Sequence, residues 1–213
     1  MRISELSAIT GVAVPSIKYY LREGLLQPGE LTSSNQASYG EEHVRRLKLI
    51  RALLDVGGLP VATAKEVLAA IDDPALPLTW VFGVAQHAIS DASLYAPVEG
   101  ETEGTRAVRD VVDRMRWHVS PDNPGVYGAA RVIDTYSRVG HPELAHIWDG
   151  YARAAELIAE ADLAAVARQE RLEAMAETVV VGTVLGDALV SSLRRMAQEH
   201  RANQQFPDTR SGS

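Results

Sequence analysis

Thr10-Gly11-Val12-Ala13-Val14-Pro15-Ser16-Ile17-Lys18-Tyr19-Tyr20-Leu21-Arg22-Glu23-Gly24-Leu25-Leu26 is the stretch whose punctuation decides the fold. Gly11 ends the helix before it, because glycine takes the left-handed C-terminal conformation without steric cost. Pro15 belongs in a first helical turn, where its missing N–H is no loss. A helix from Pro15 to about Glu23 follows, and Gly24 stops it. Upstream, Ser4 offers a cap to a short helix carrying Leu6 and Ile9 inward. Two short helices joined by a tight turn predict a helix-turn-helix.

Outward from this core, Leu25 to Gly29 and Asn35 to Tyr39 read as two short extended pieces around a polar turn, the place for a wing. Glu41 to about Val56 carries Val44, Leu47, Ile50, Leu53 and Leu54 at helical spacing, with Arg45, Arg46, Lys48 and Arg51 outside that stripe. Gly57-Gly58 ends this helix. Pro60 begins another that buries Val61, Ala64, Val67, Leu68 and Ile71. Asp72-Asp73-Pro74 closes a first domain, residues 1–73. The remainder predicts a second, all-helical domain over residues 74–206. Its helices are expected at about 77–95, 103–119 and 123–139, then from Pro142 to about Asn203 with a break near 165–175. Residues 207–213 are expected to be a disordered polar tail. The fold class is mainly α: a winged helix-turn-helix followed by helices.

The opening string, Pro28, Tyr39-Gly40-Glu41-Glu42-His43-Val44-Arg45-Arg46-Leu47 and the Gly57-Gly58-Leu59-Pro60 turn together resemble the signature of the MerR family. High Ala, Arg and Gly with few Lys point to a GC-rich, actinobacterial-like source. The resemblance covers roughly residues 1–73. It implies a homodimer that binds inverted-repeat double-stranded promoter DNA with a long spacer. Such a dimer bends and untwists the spacer so that RNA polymerase reads both promoter elements.

In that frame Ser16 and Lys18 are placed for base edges or phosphates, and Tyr19 and Arg22 for phosphate oxygens. Ile17, Tyr20 and Leu21 hold the helix against Leu6, Ile9 and Leu47. Asn35, Gln36, Ser38 and Tyr39 of the wing add contacts to the neighbouring backbone or minor groove. Either tyrosine of the 19–20 pair reads equally as the edge of a core, and the cations of the following helix as a solvated face. Four residues depart from the family pattern: Lys18 for an arginine, Leu21 for an acid, Ala13 for a capping Ser or Thr, and Gly40 for a basic residue. Family dimers form through the helix directly after the head. Here Pro77 to Tyr95 has no clear heptads, so Val179 to Val190 is the other candidate, as a buried core helix or a dimer face.

Charge agrees with a DNA-binding head. The chain's net charge is −7, yet residues 1–51 carry seven cations against five anions. Residues 74–213 carry 13 cations and 19 anions. With no cysteine there is no disulfide, thiol nucleophile or thiolate metal site. The six histidines show no metal-ligand spacing, so no metal and no cofactor are expected. No nucleophile–base frame stands out, so no catalytic residue is assigned and no enzyme is expected. The absence of a leader and the shortness of the apolar run Thr178 to Leu185 predict a cytoplasmic protein without a membrane segment. The aromatics Trp80, Trp117, Tyr127, Tyr136, Trp148 and Tyr151, with Asp134, Glu143 and Asp149, are candidates to line a pocket for an organic, cationic effector. The same aromatics read equally as filling of a helical core. The alternative function is a MerR-like architectural protein that organises DNA without an effector.

Overall fold

The computed structural model describes residues 1–33, 36–90, 92–98 and 100–206. Asn35 and the tail 207–213 lie outside the described residues. The chain forms two compact units, residues 1–69 with 180–213 and residues 70–179.

In the first unit, helix α1 (Ile3–Thr10) and helix α2 (Val14–Glu23) are joined through Gly11, whose φ of 68° makes the left-handed cap. The α1 start differs from expectation. The helix begins at Ile3, and the Arg2 N–H donates to the Glu5 carboxylate at 2.7 Å, so Ser4 lies within the first turn rather than before it. Leu6 is fully buried while Ile9 is exposed, so the inward face of α1 is narrower than its apolar residues imply. Strand β1 (Glu30–Ser33) and strand β2 (Gln36–Ser38) pair antiparallel, with Glu30 opposite Ser38 and Leu31 opposite Ala37. A Cβ at Gly29 would strike the Ser38 carbonyl oxygen, so only glycine lets the chain enter this hairpin as closely as it does.

Helix α3 (Glu41–Arg51) runs on as a π-helical turn (Ala52–Val56), and helix α4 (Val61–Asp72) follows. α1 packs on α2 and α3. Leu6, Ile17, Leu25, Leu26, Leu47, Ile50, Leu53, Ala64, Val67 and Leu68 form the buried face of this unit. The expected α3 stripe is buried at its Leu47, Ile50 and Leu53 positions, while Val44 and Leu54 sit at its edge. The second half of helix α10 (Leu172–Gln205) belongs to this unit. Val184 of α10 lies against Gly57, where a Cβ would collide with it. The sequence division into 1–73 and 74–206 therefore differs from the compact units, because burial of Val180 and Val184 ties the end of the chain to the head.

The second unit holds helix α5 (Leu78–Ala88), helix α6 (Ala92–Tyr95), helix α7 (Glu103–Met115), helix α8 (Pro124–Arg138), a 3₁₀ turn (Pro142–Ile147), helix α9 (Trp148–Ala167) and the start of α10. The expected 77–95 helix is two pieces, and the long C-terminal stretch breaks between Ala167 and Leu172, inside the predicted window. Thr102 caps α7 by accepting the Thr105 N–H at 3.1 Å. α7 packs on α8 around Val108, Ala130 and Ile133. α10, with 34 residues, is long and apolar enough to cross a membrane by length and composition, which the eight-residue apolar run does not reveal.

Candidate nucleic-acid interface

The recognition surface is built from the helical period of α2. Pro15, Lys18, Tyr19 and Arg22 fall at i, i+3, i+4 and i+7, so they share one face. Pro15, Lys18 and Arg22 are exposed and Tyr19 is half-buried, while Ile17 is fully buried beneath. Ala13 gives the helix no side-chain cap, so the first-turn N–H of Ser16 points out of the helix start without a side-chain acceptor. Ser16 is half-buried beside it.

Arg22 is held before any ligand arrives. Its guanidinium lies 5.1 Å from the centroid of the Tyr19 ring, a cation–π distance, and its Nε donates to the Glu23 carboxylate at 3.3 Å. Tyr19 in turn meets Tyr20 edge to face at 5.9 Å. Burial, followed by the nearby Asp55 carboxylate, raises the Tyr20 phenol above its ordinary value, so it stays a neutral anchor. Tyr20 and Leu21 are half-buried, consistent in position with an anchoring role.

The wing is fixed to the start of the chain. The Tyr39 N–H donates to the Met1 carbonyl at 2.9 Å, and Met1 N donates back to the Tyr39 carbonyl at 2.8 Å. Met1 N also reaches the Ser38 hydroxyl at 3.3 Å. The Tyr39 ring is only 8% exposed and stands edge to face on His43 at 5.1 Å. The structure thus corrects the wing set: Tyr39 is an anchor of the hairpin base rather than an outward contact, and Ser38 is half-buried. Gln36 is exposed. His43 Nδ1 accepts the Gly40 N–H at 3.0 Å and caps α3, a job the sequence gives no sign of beyond its position three residues after Gly40.

Arg46 is a positioning residue that the amphipathic pattern alone misses. Its Nε donates to the Leu25 carbonyl at 3.0 Å, clamping the turn after α2 to α3. Arg45 and Lys48 are exposed, and Arg51 pairs with Asp55 at 2.6 Å.

In the second unit the six candidate aromatics do not line one cavity. Trp80 is 67% exposed and Tyr151 46% exposed. Tyr127 and Tyr136, nine residues apart on α8, fall on opposite faces of that helix. Trp148 packs against the core of Val108, Ala130 and Ile133, with its indole N–H buried and without a hydrogen-bond partner. Trp117 is half-buried, and its indole N–H donates to Glu156 at 3.2 Å. The three carboxylates are committed elsewhere. Asp134 accepts the Gly104 N–H at 2.7 Å, Asp149 pairs with Arg114 at 2.6 Å and Glu143 with His141 at 2.9 Å. The charged lining expected for a cation is therefore spent on the fold itself. Among the described residues, no group of three or more His, Asp or Glu is placed to hold a metal ion.

Residues 1–71 match the pattern of the family described as MerR HTH family regulatory protein. The chain is 32% identical over 124 residues to the HTH-type transcriptional regulator HmrR of Sinorhizobium medicae, covering 58% of this chain and 82% of that one. It is also 32% identical, over the same shares, to heavy metal-dependent transcription regulator 2 of Rhizobium meliloti. Its fold matches a crystal structure of a candidate transcriptional regulator from Streptomyces coelicolor A3(2), with a TM-score of 0.71 and 31% identity over 97% of this chain and 98% of that one. With a winged helix-turn-helix whose outer face carries Lys18 and Arg22, and relatives matched over most of their length, the chain belongs to the MerR family and is a DNA-binding regulator of transcription.

Proposed function

We propose that the protein acts in the cytoplasm as a homodimer on inverted-repeat promoter DNA, reading each half-site with α2 and distorting the spacer for RNA polymerase. One observation carries this reading: Lys18, Tyr19 and Arg22 stand together on the outer face of a helix whose other side is fully buried through Ile17. Ser16 and Lys18 face base edges and phosphates, Tyr19 and Arg22 grip phosphate oxygens, and Gln36, Asn35 and Ser38 supply the wing. A single ten-residue helix reads too few base pairs for specificity, which is the reason for two copies. Elastic work of order 1–6 kcal/mol on the spacer is offset by these contacts, and an effector shifts that balance.

The relative in Rhizobium meliloti is named for heavy metals. This chain lacks cysteine, the soft ligand such metals select. We therefore assign the input to a small organic effector in the helical part after residue 73, at the unpaired indole N–H of Trp148 rather than across all six aromatics. The experiment is genomic footprinting of the full chain at physiological salt. A few sharp inverted repeats with long promoter spacers support the reading. Shallow binding everywhere would replace it with an architectural, DNA-organising role.

A further inference from the structure

We propose that the apolar stripe along the second half of α10 is the contact face for a second copy of this chain, paired antiparallel with Leu189 against Leu193 of the partner subunit. The inference rests on the homodimer reading above and names its surface.

From residue 182 onward, steps of four and three residues place Gly182, Gly186, Leu189, Leu193, Met196 and His200 on one seam, the spacing of a two-helix coil. Leu189, Leu193 and Met196 are 60%, 52% and 66% exposed. Val184, which meets Gly57 of the head, lies on the flank opposite this seam, so the head covers one side of α10 and leaves the other open. A helix extending so far past its last buried residue is not held by its own hydrogen bonds in water.

Charge points to a second copy and sets its direction. Over residues 180–205 the front half carries only Asp187, and the rear half carries Arg194, Arg195 and Arg201 against Glu199. A parallel pair would bring Arg194 and Arg195 level with their own copies. An antiparallel pair centred near residue 191 brings Asp187 level with Arg195 of the partner subunit, so the Coulomb term favours it. The same register sets Gly186 against Met196 of the partner subunit, and small against large closes the seam without a void.

Because the chain has no cysteine, the register is read with single cysteines introduced into the full-length protein. Sedimentation without DNA is expected to give a dimer. Ser192→Cys, near the two-fold, is expected to cross-link on mild oxidation. Met196→Cys lies about 15 Å from its own copy in this register, beyond disulfide reach, and is expected to stay uncross-linked. Leu193→Glu is expected to sediment as a monomer with unchanged helix content by circular dichroism. A Leu193→Glu dimer overturns the proposal, as does cross-linking of Met196→Cys without Ser192→Cys. A monomeric wild-type chain that co-sediments with phosphatidylglycerol vesicles also overturns it, assigning the stripe to lipid. The two readings fail separately. A dimer dissolved by Leu193→Glu that ignores inverted repeats keeps this surface and loses the operator reading. Tight operator binding by a dimeric Leu193→Glu does the reverse.

Discussion

Arg22 illustrates how a side chain is readied for an anion. Its pair with Glu23 is exposed, and exposed pairs are worth about 0.2–1 kcal/mol. A charge-assisted contact to phosphate is worth about 1.5–3 kcal/mol, so phosphate displaces the carboxylate while the Tyr19 ring keeps the guanidinium in place. Arg22→Ala is expected to weaken operator binding roughly tenfold and to flatten the dependence of log K on log salt by about one unit. Fluorescence anisotropy across a salt series checks both numbers, and an unchanged slope removes Arg22 from the contacts. A second single-residue case lies in the turn before α8. The Ser120 hydroxyl donates to the Asp122 carboxylate and holds it below its ordinary value of 3.8. A depressed carboxylate adds stability above the unfolded value that is lost as pH falls through the folded one. Ser120→Ala is expected to bring the Asp122 titration, followed by NMR, back up toward 3.8.

Helix junctions are set by small residues and caps, and these separate what the sequence discloses from what it hides. At the α7–α8 crossing a Cβ on Gly104 would strike the Ala130 carbonyl oxygen, which is backbone and cannot turn aside. Gly104→Ala is expected to cost about 1–3 kcal/mol in urea unfolding, whereas Gly150→Ala, with open space at its Cβ, is expected to cost nothing by crowding. Gly11, Gly24 and Pro15 announce α1 and α2 because their backbone preferences are local. The α3 stripe is equally legible, since helical period alone buries Leu47, Ile50 and Leu53. Tyr39 is not: its fate depends on pairing with Met1, a contact between residues far apart in sequence. Ile9 fails for a related reason, because the narrow contact of a short helix buries only Leu6. The DNA-facing side of α2 is therefore readable from spacing, while the wing and the aromatic set need the folded chain.

For the molecule as a whole, the balance between a basic head and an acidic body decides how it meets DNA. Residues 74–213 carry 19 anions against 13 cations, so the body repels the duplex and only the head contributes counterion release. Each copy presents Lys18 and Arg22 on the reading face of α2. Two copies therefore neutralise about four phosphates through these side chains. At about −0.9 per phosphate, log K for a single operator is expected to fall with log salt at a slope near −4. Sequence-blind binding gains essentially all its affinity from this term and would be nearly lost by 200 mM salt with so few cations. Operator binding keeps the hydrogen-bonded base contacts, which salt does not screen in the same way. The measurement is a pair of salt titrations, on an operator fragment and on a scrambled fragment of equal length. A slope near −4 with a specificity ratio that holds across the series fits a regulator reading through two α2 helices. A slope of −8 or steeper, equal on both fragments, requires a basic surface that neither α2 nor the acidic body provides.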